Sequence, residues 1–261
     1  MRKLLGLMLI ALILTGVNGP AFGEEASGEG GAFDEANFSA TLTMTTDYVY
    51  RGISYTDGEP AIQGSFDYAH PSGFYLGIWA SNWEDPDPNG SNIEINYYGG
   101  YYGELDSFTY DLSAYYYDFP DANDDAAEYN YYELIAKLHY NFTAPLSPVF
   151  GIGYAYSPEY SGEDGAANYV NGTLDLTLPL NLTLSFEAGH QDVEGDKTWG
   201  NGWGLNDGNG YDYTHWRVGL STDLKKFHLD VSYHDTNEST WLSDNIGRAD
   251  ERVVFTVSRS F

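Results

Sequence analysis

The chain has 261 residues, of which 39 are acidic and 11 basic, giving a formal net charge of −28. So acidic a chain has no basic surface with which to hold nucleic-acid phosphates. Its 24 tyrosines, 13 phenylalanines and 6 tryptophans exclude a disordered polyanion, and the lack of any cysteine removes disulfides, thiolate nucleophiles and cysteine metal sites together.

The first residues read as an export signal. Arg2 and Lys3 precede an apolar run over residues 4–14, and Ala21-Phe22-Gly23 offers a small-x-small cleavage site. The run is too short for a membrane anchor, which needs ~20 residues. Residues 1–23 are therefore expected to be removed. Loss of the two leader cations takes the net charge from −28 to −30. Residues 24–35, glycine-rich and acidic, read as a flexible periplasmic tail, and 36–261 as a single domain. No later apolar run is long enough for a transmembrane helix. The exported chain is then either soluble or a β-barrel, whose signature is ~10-residue runs of alternating polarity.

Residues 38–50 show that alternation. Phe38, Ala40, Leu42, Met44, Tyr48 and Tyr50 share one side; Ser39, Thr41, Thr43, Thr45 and Asp47 share the other. Successive side chains of a strand point to opposite faces, and Thr and Tyr favour strands. The pattern returns at 60–70, 73–82, 91–103, 107–118, 130–142, 148–157, 168–178, 181–190, 211–222, 226–235 and 251–261. This predicts twelve strands. The connections after strands two, four, six, eight and ten are short; the others are longer and rich in Asp, Asn and Gly. Outer-membrane barrels have short periplasmic turns, long outer loops and an even strand count, whereas a soluble sandwich has no reason for such regularity. The predicted fold is an all-β, antiparallel, up-and-down twelve-stranded barrel in a bacterial outer membrane, with both termini periplasmic.

Aromatics at strand ends (Tyr48, Tyr50, Tyr68, 115–117, Tyr140, Phe142, Tyr154 and Tyr156) read as interfacial girdles. The sequence closes on Val253, Phe255, Val257, Arg259 and Phe261, an alternation resembling the signal that bacterial barrel-assembly machinery reads, with Phe261 as its terminal aromatic.

Three segments carry a family resemblance. They are Thr45-Thr46-Asp47-Tyr48-Val49-Tyr50-Arg51-Gly52-Ile53-Ser54, then Pro60-Ala61-Ile62-Gln63-Gly64-Ser65-Phe66-Asp67-Tyr68-Ala69-His70, then Ser72-Gly73-Phe74-Tyr75-Leu76-Gly77-Ile78-Trp79-Ala80-Ser81-Asn82. Together they resemble the TorF-type porin family of exported proteobacterial outer-membrane proteins, over about the first third of the exported chain. The resemblance implies a barrel and a pore. It carries over no substrate and no site residue.

With apolar residues toward lipid, their neighbours line the lumen. The candidate pore-lining residues are Asp47, Asp67, Glu94, Asp111, Glu133, Lys137, Glu187, Arg217 and Asp230, with Asp175 also inward and Arg51 near the mouth. A surplus of carboxylates attracts cations, and the acidic outer loops (84–87, 121–128, 163–164 and 192–196) would concentrate them. These charges are equally consistent with an internal structural network. Small barrels fill with side chains, and lumenal Tyr75, Trp79, Tyr98, Tyr102 and Tyr117 are bulky enough to narrow or plug one of twelve strands.

Residues 85–90 open like a calcium loop, but position twelve is Asn96 instead of the required Glu. No metal or cofactor is expected. A membrane-embedded lipid-modifying enzyme is the rival from another class. His139, His190, His215, His228 and His234 are its candidates, yet no Gly-x-Ser-x-Gly elbow is present. The sequence points instead to passive diffusion of small hydrophilic solutes, cation-preferring and without catalysis. Its expected partners are outer-membrane lipid, the solute and, through Phe261, the assembly machinery, with no nucleic acid. A plugged structural or adhesive barrel recognised through its outer loops is the other alternative. The register predicts that Leu134→Arg impairs insertion more than Ile135→Arg.

Overall fold

The computed structural model describes residues 31–84, 91–122, 128–162, 165–195, 210–237 and 247–261. The expected signal peptide and most of the tail lie outside them, as do residues 85–90 and much of the acidic outer loops. Twelve strands close into one barrel: β1 (Phe38–Thr45), β4 (Ala61–Ala69), β5 (Phe74–Asn82), β6 (Ile93–Leu105), β7 (Phe108–Asp118), β8 (Tyr131–Asn141), β9 (Val149–Ser157), β10 (Ala167–Leu178), β11 (Leu182–Val193), β12 (Tyr211–Leu224), β13 (Phe227–Thr236) and β14 (Arg252–Ser260). Every neighbour is antiparallel and consecutive along the barrel. β1 closes the ring by pairing β4 on one side (Thr45↔Ala61) and β14 on the other (Thr45↔Thr256). Closure leaves no unpaired strand edge.

The two faces separate as the alternation predicts. On β8, Tyr132, Leu134 and Leu138 are 46%, 53% and 40% exposed, whereas Tyr131, Glu133 and Ile135 are buried. The outer face of every barrel strand carries large apolar residues, such as Phe66, Phe150, Val170 and Phe255. The connections alternate as well. One rim holds short links, among them Asp106-Ser107, the 3-10 turn Pro179–Asn181 and Lys225-Lys226; the other rim holds the long ones.

The first predicted strand is too long. β1 ends at Thr45, and the chain then turns into the barrel as a hairpin of β2 (Val49–Tyr50) and β3 (Ile53–Ser54). The cause is the loss of one neighbour. β4 begins at Ala61, opposite Thr45, so nothing flanks residues 47–50 on that side, although β14 runs on past its last pairing with β1 as far as Arg252. The turn residues Arg51 and Gly52 both take positive φ (48° and 84°), the geometry of a tight two-residue hairpin. Tyr48 and Tyr50 thus face the lumen, each 4% exposed, and belong to no outer girdle. Tyr115 and Tyr117 are likewise lumenal, which leaves Tyr116 alone of that trio on the outside.

Candidate functional site

The hairpin spans the lumen near the long-loop rim, and each part of it is fastened to a different strand. At its base, Asp47 accepts hydrogen bonds from Ser54 Oγ (2.6 Å), Thr56 Oγ1 (3.0 Å) and Arg252 Nη1 of β14 (2.7 Å). Tyr48 packs edge-on against Trp79 of β5, and Tyr55 against Trp83. At its tip, Arg51 donates from both terminal nitrogens to Glu133 of β8 (2.8 Å each) and from Nη1 to Gln191 Oε1 of β11 (2.8 Å). The guanidinium lies 4.0 Å from the ring centroid of Tyr169 of β10. Glu133 also accepts from the hydroxyls of Tyr50 (3.2 Å) and Tyr117 (3.0 Å). Gly52 lies against β12 and β13: a Cβ there would stand 2.5 Å from His215 Cβ and 2.7 Å from Thr236 Cγ2.

β8 is five strands around the ring from β1, so Arg51 crosses the lumen. Glu133 and Gln191 are each 1% exposed and Asn96 is 0%. These side chains are shielded from bulk solvent. A buried carboxylate is tolerable only when paired and hydrogen-bonded, and Arg51 supplies both. Stacked tyrosines fill the wall beside it: Tyr98 on Tyr115, then Tyr117 on Tyr131 with centroids 4.4 Å apart.

Toward the short-turn rim the interior is more open. Asp111, Lys137, Asp175 and Glu187 are only partly buried. Asp111 accepts from Tyr75 (2.7 Å) and Ser113 (2.9 Å), and Glu187 from Asn171 (2.9 Å) and Tyr169 (3.2 Å). Lys137 stands beside Asp111 in the β7–β8 register but makes no ion pair among the described residues. Asp67 is fastened to Tyr98 and Ser65. Arg217 of β12 donates to both oxygens of Asp230 of β13 (2.8 Å each) and to Ser185 (2.8 Å). Both partners of this pair are nearly inaccessible. Arg217→Met would leave the buried Asp230 carboxylate without its cation. We expect it to lower stability by about 3–5 kcal/mol in urea unfolding from lipid vesicles, and Arg217→Met/Asp230→Asn to recover much of that loss.

Eight of the nine predicted pore-lining residues (Asp67, Glu94, Asp111, Glu133, Lys137, Glu187, Arg217 and Asp230) sit buried or half-buried on barrel strands. Asp47 follows β1 and anchors the hairpin, so it is no wall residue; it lines a cavity of about 370 Å³ at the long-loop rim with Asp57, Asp250, Glu251 and Arg252. Arg51, expected near the mouth, is buried at the hairpin tip between the long-loop ends of β8 and β11. Sequence reasoning missed Gln191 and Arg252. Gln191 follows the last predicted residue of its strand, and Arg252 has a role only once Asp47 turns inward. Among the described residues two histidines meet a serine hydroxyl, one of them His70, whose Nδ1 stands 2.6 Å from Ser72 Oγ in an exposed turn. Ser232 Oγ and His234 Nε2 stand 3.0 Å apart, but both are buried on one strand, with Arg217 opposite His234 in the register. His215 meets Tyr169 (2.8 Å) and His228 meets Asp223 (2.8 Å).

The barrel as a whole is similar to solved porin structures. The NanC porin in its rhombohedral crystal form aligns with a TM-score of 0.52 and 13% identity, covering 86% of this chain and 98% of that one. The KdgM porin in complex with disordered oligogalacturonate aligns at 0.51 and 11%, covering 86% and 97%. These likenesses concern the fold. No curated protein matches the sequence. A family model matches residues 29–261, which includes the whole barrel, and the chain therefore belongs to the bacterial protein family of unknown function Gcw_chp.

Proposed function

We propose that the chain is an outer-membrane diffusion channel of porin type for small hydrophilic solutes, and that the β2–β3 hairpin sets its aperture. The observation that carries this reading is the division of the two faces: an apolar outer face surrounds a closed barrel whose interior is polar and charged. Lipid outside and a polar, partly open interior reward that pattern. The described chain enters β1 and leaves β14 at the short-turn rim, which in outer-membrane barrels is periplasmic, and Phe261, hydrogen-bonded to Ala40, is the residue offered to the assembly machinery. The resemblance to TorF-type porins and the likeness to the NanC and KdgM barrels support the same reading, and no step in it needs catalysis.

The interior favours cations. Asp111, Asp175 and Glu187 stand in the open half, and among the described residues the cations beside them are Lys137 and Arg217, the latter paired with Asp230. A polyanion such as the oligogalacturonate of the KdgM complex would meet repulsion here. In planar bilayers under a salt gradient, the reversal potential should show cation preference, and Asp111→Asn/Asp175→Asn/Glu187→Gln should abolish or invert it. Anion preference in the unmodified protein would refute the charge argument. The hairpin network also favours a second reading, a permanently filled structural barrel. Folded protein that never conducts, even with the hairpin released, would select it.

A further inference from the structure

The short-turn rim carries a feature that solute passage does not use. Lys225 and Lys226 form the exposed turn between β12 and β13, and Arg259 stands on the outer face of β14, with the parity of Phe255 and Val257. The β13–β14 pairing brings them to one corner. The Arg259 guanidinium lies 5.7 Å from the Phe227 ring centroid, next in sequence to Lys226, and 4.5 Å from that of Phe261. Among the described residues, the other short links contain no lysine or arginine. In a chain this acidic, three cations at one corner are a concentration. Nearby Asp223 lies on the lumenal parity and is hydrogen-bonded to His228, and Asp34 and Glu35 follow Phe33, which stacks on Tyr68 of β4 across β1.

The Arg259 guanidinium rests over the Phe227 and Phe261 rings with its Nε buried, which leaves its two terminal nitrogens as donors for phosphate oxygens. Along the strands from these cations run the exposed apolar side chains of Phe227, Val257 and Phe255. Lysine stems reach from such a surface to the headgroup level. We propose that this corner binds an anionic phospholipid, its phosphate held by Lys225, Lys226 and Arg259 and its acyl chains lying on the apolar strip. The proposal rests on the outer face being immersed in lipid.

The test is native mass spectrometry of the folded barrel released from zwitterionic micelles doped with phosphatidylglycerol or phosphatidylcholine of equal chain length. Phosphatidylglycerol should be retained roughly tenfold more than phosphatidylcholine, since each cation near an anionic headgroup contributes to the attraction. Lys225→Gln/Lys226→Gln/Arg259→Gln should bring the two lipids level while the folded, heat-modifiable band persists. Equal retention by the unmodified protein, or unchanged preference in the variant, overturns the proposal. So does displacement of the lipid by millimolar inorganic phosphate, which marks a site for free phosphate. A chain that folds without inserting into vesicles overturns the membrane reading and this proposal with it, and that outcome is scored separately by co-flotation.

Discussion

Arg51→Ala should raise the open-state occupancy of the channel by two to three orders of magnitude. The residue fastens the hairpin tip to Glu133 and Gln191 on the far wall. Its removal leaves the Glu133 carboxylate, 1% exposed, with two tyrosine hydroxyls as its donors among the described residues. Breaking a buried pair by deleting one partner costs about 3–5 kcal/mol. Each ~1.4 kcal/mol is a factor of ten, so a barrier made by the seated hairpin would be lifted about 10²–10³-fold. Single-channel recording of refolded protein reads this as frequent, long openings where the unmodified protein is mostly closed. Arg51→Ala/Glu133→Gln removes both charges and should return part of the closed population, which separates loss of the ion pair from loss of bulk. Gly52→Val should unseat the hairpin by a different route. Its Cβ would fall within 2.5 Å of His215, and its φ of +84° is unfavourable to a β-branched residue. If both variants fold and conduct as the unmodified protein does, the hairpin is not the barrier.

The second large effect separates the two faces. Leu134 is 53% exposed on the outer face of β8 and Ile135 is buried in the lumen one residue later. An arginine at position 134 faces hydrocarbon, at a cost of about 2–4 kcal/mol near mid-depth, and should lower the yield of inserted, heat-modifiable barrel. At position 135 the cost takes another form. Ile135 packs in the same lumenal cluster as Tyr50, Tyr117 and Tyr169, so Ile135→Arg should insert nearly normally yet disturb the hairpin and conduct more. Urea-unfolding midpoints from vesicles and bilayer conductance read the two consequences apart. Equal loss of insertion by both variants would sink the face assignment.

The wall of this protein was legible in its sequence. A strand has a period of two, and here one face meets an apolar surrounding and the other a polar interior. Every strand from β4 to β14 therefore declares its register through residues such as Phe66 beside Asp67 or Leu134 beside Glu133. The alternation of short and long links fixed the topology, because each hairpin reverses the chain and returns it to the same rim. The hairpin was not legible for the same reason. Tyr48 and Tyr50 continue the apolar parity of Phe38, Ala40, Leu42 and Met44, and a local pattern cannot tell a lengthened strand from one that has lost its neighbours. That distinction is made by where β4 begins, opposite the last residue of β1. Arg51 with Glu133 is then a contact across 82 residues of sequence, formed only because closure of the ring places β8 opposite β1. Local periodicity thus determined which residues face inward, while the tertiary structure decided which of them meet, since that depends on the curvature of the whole barrel.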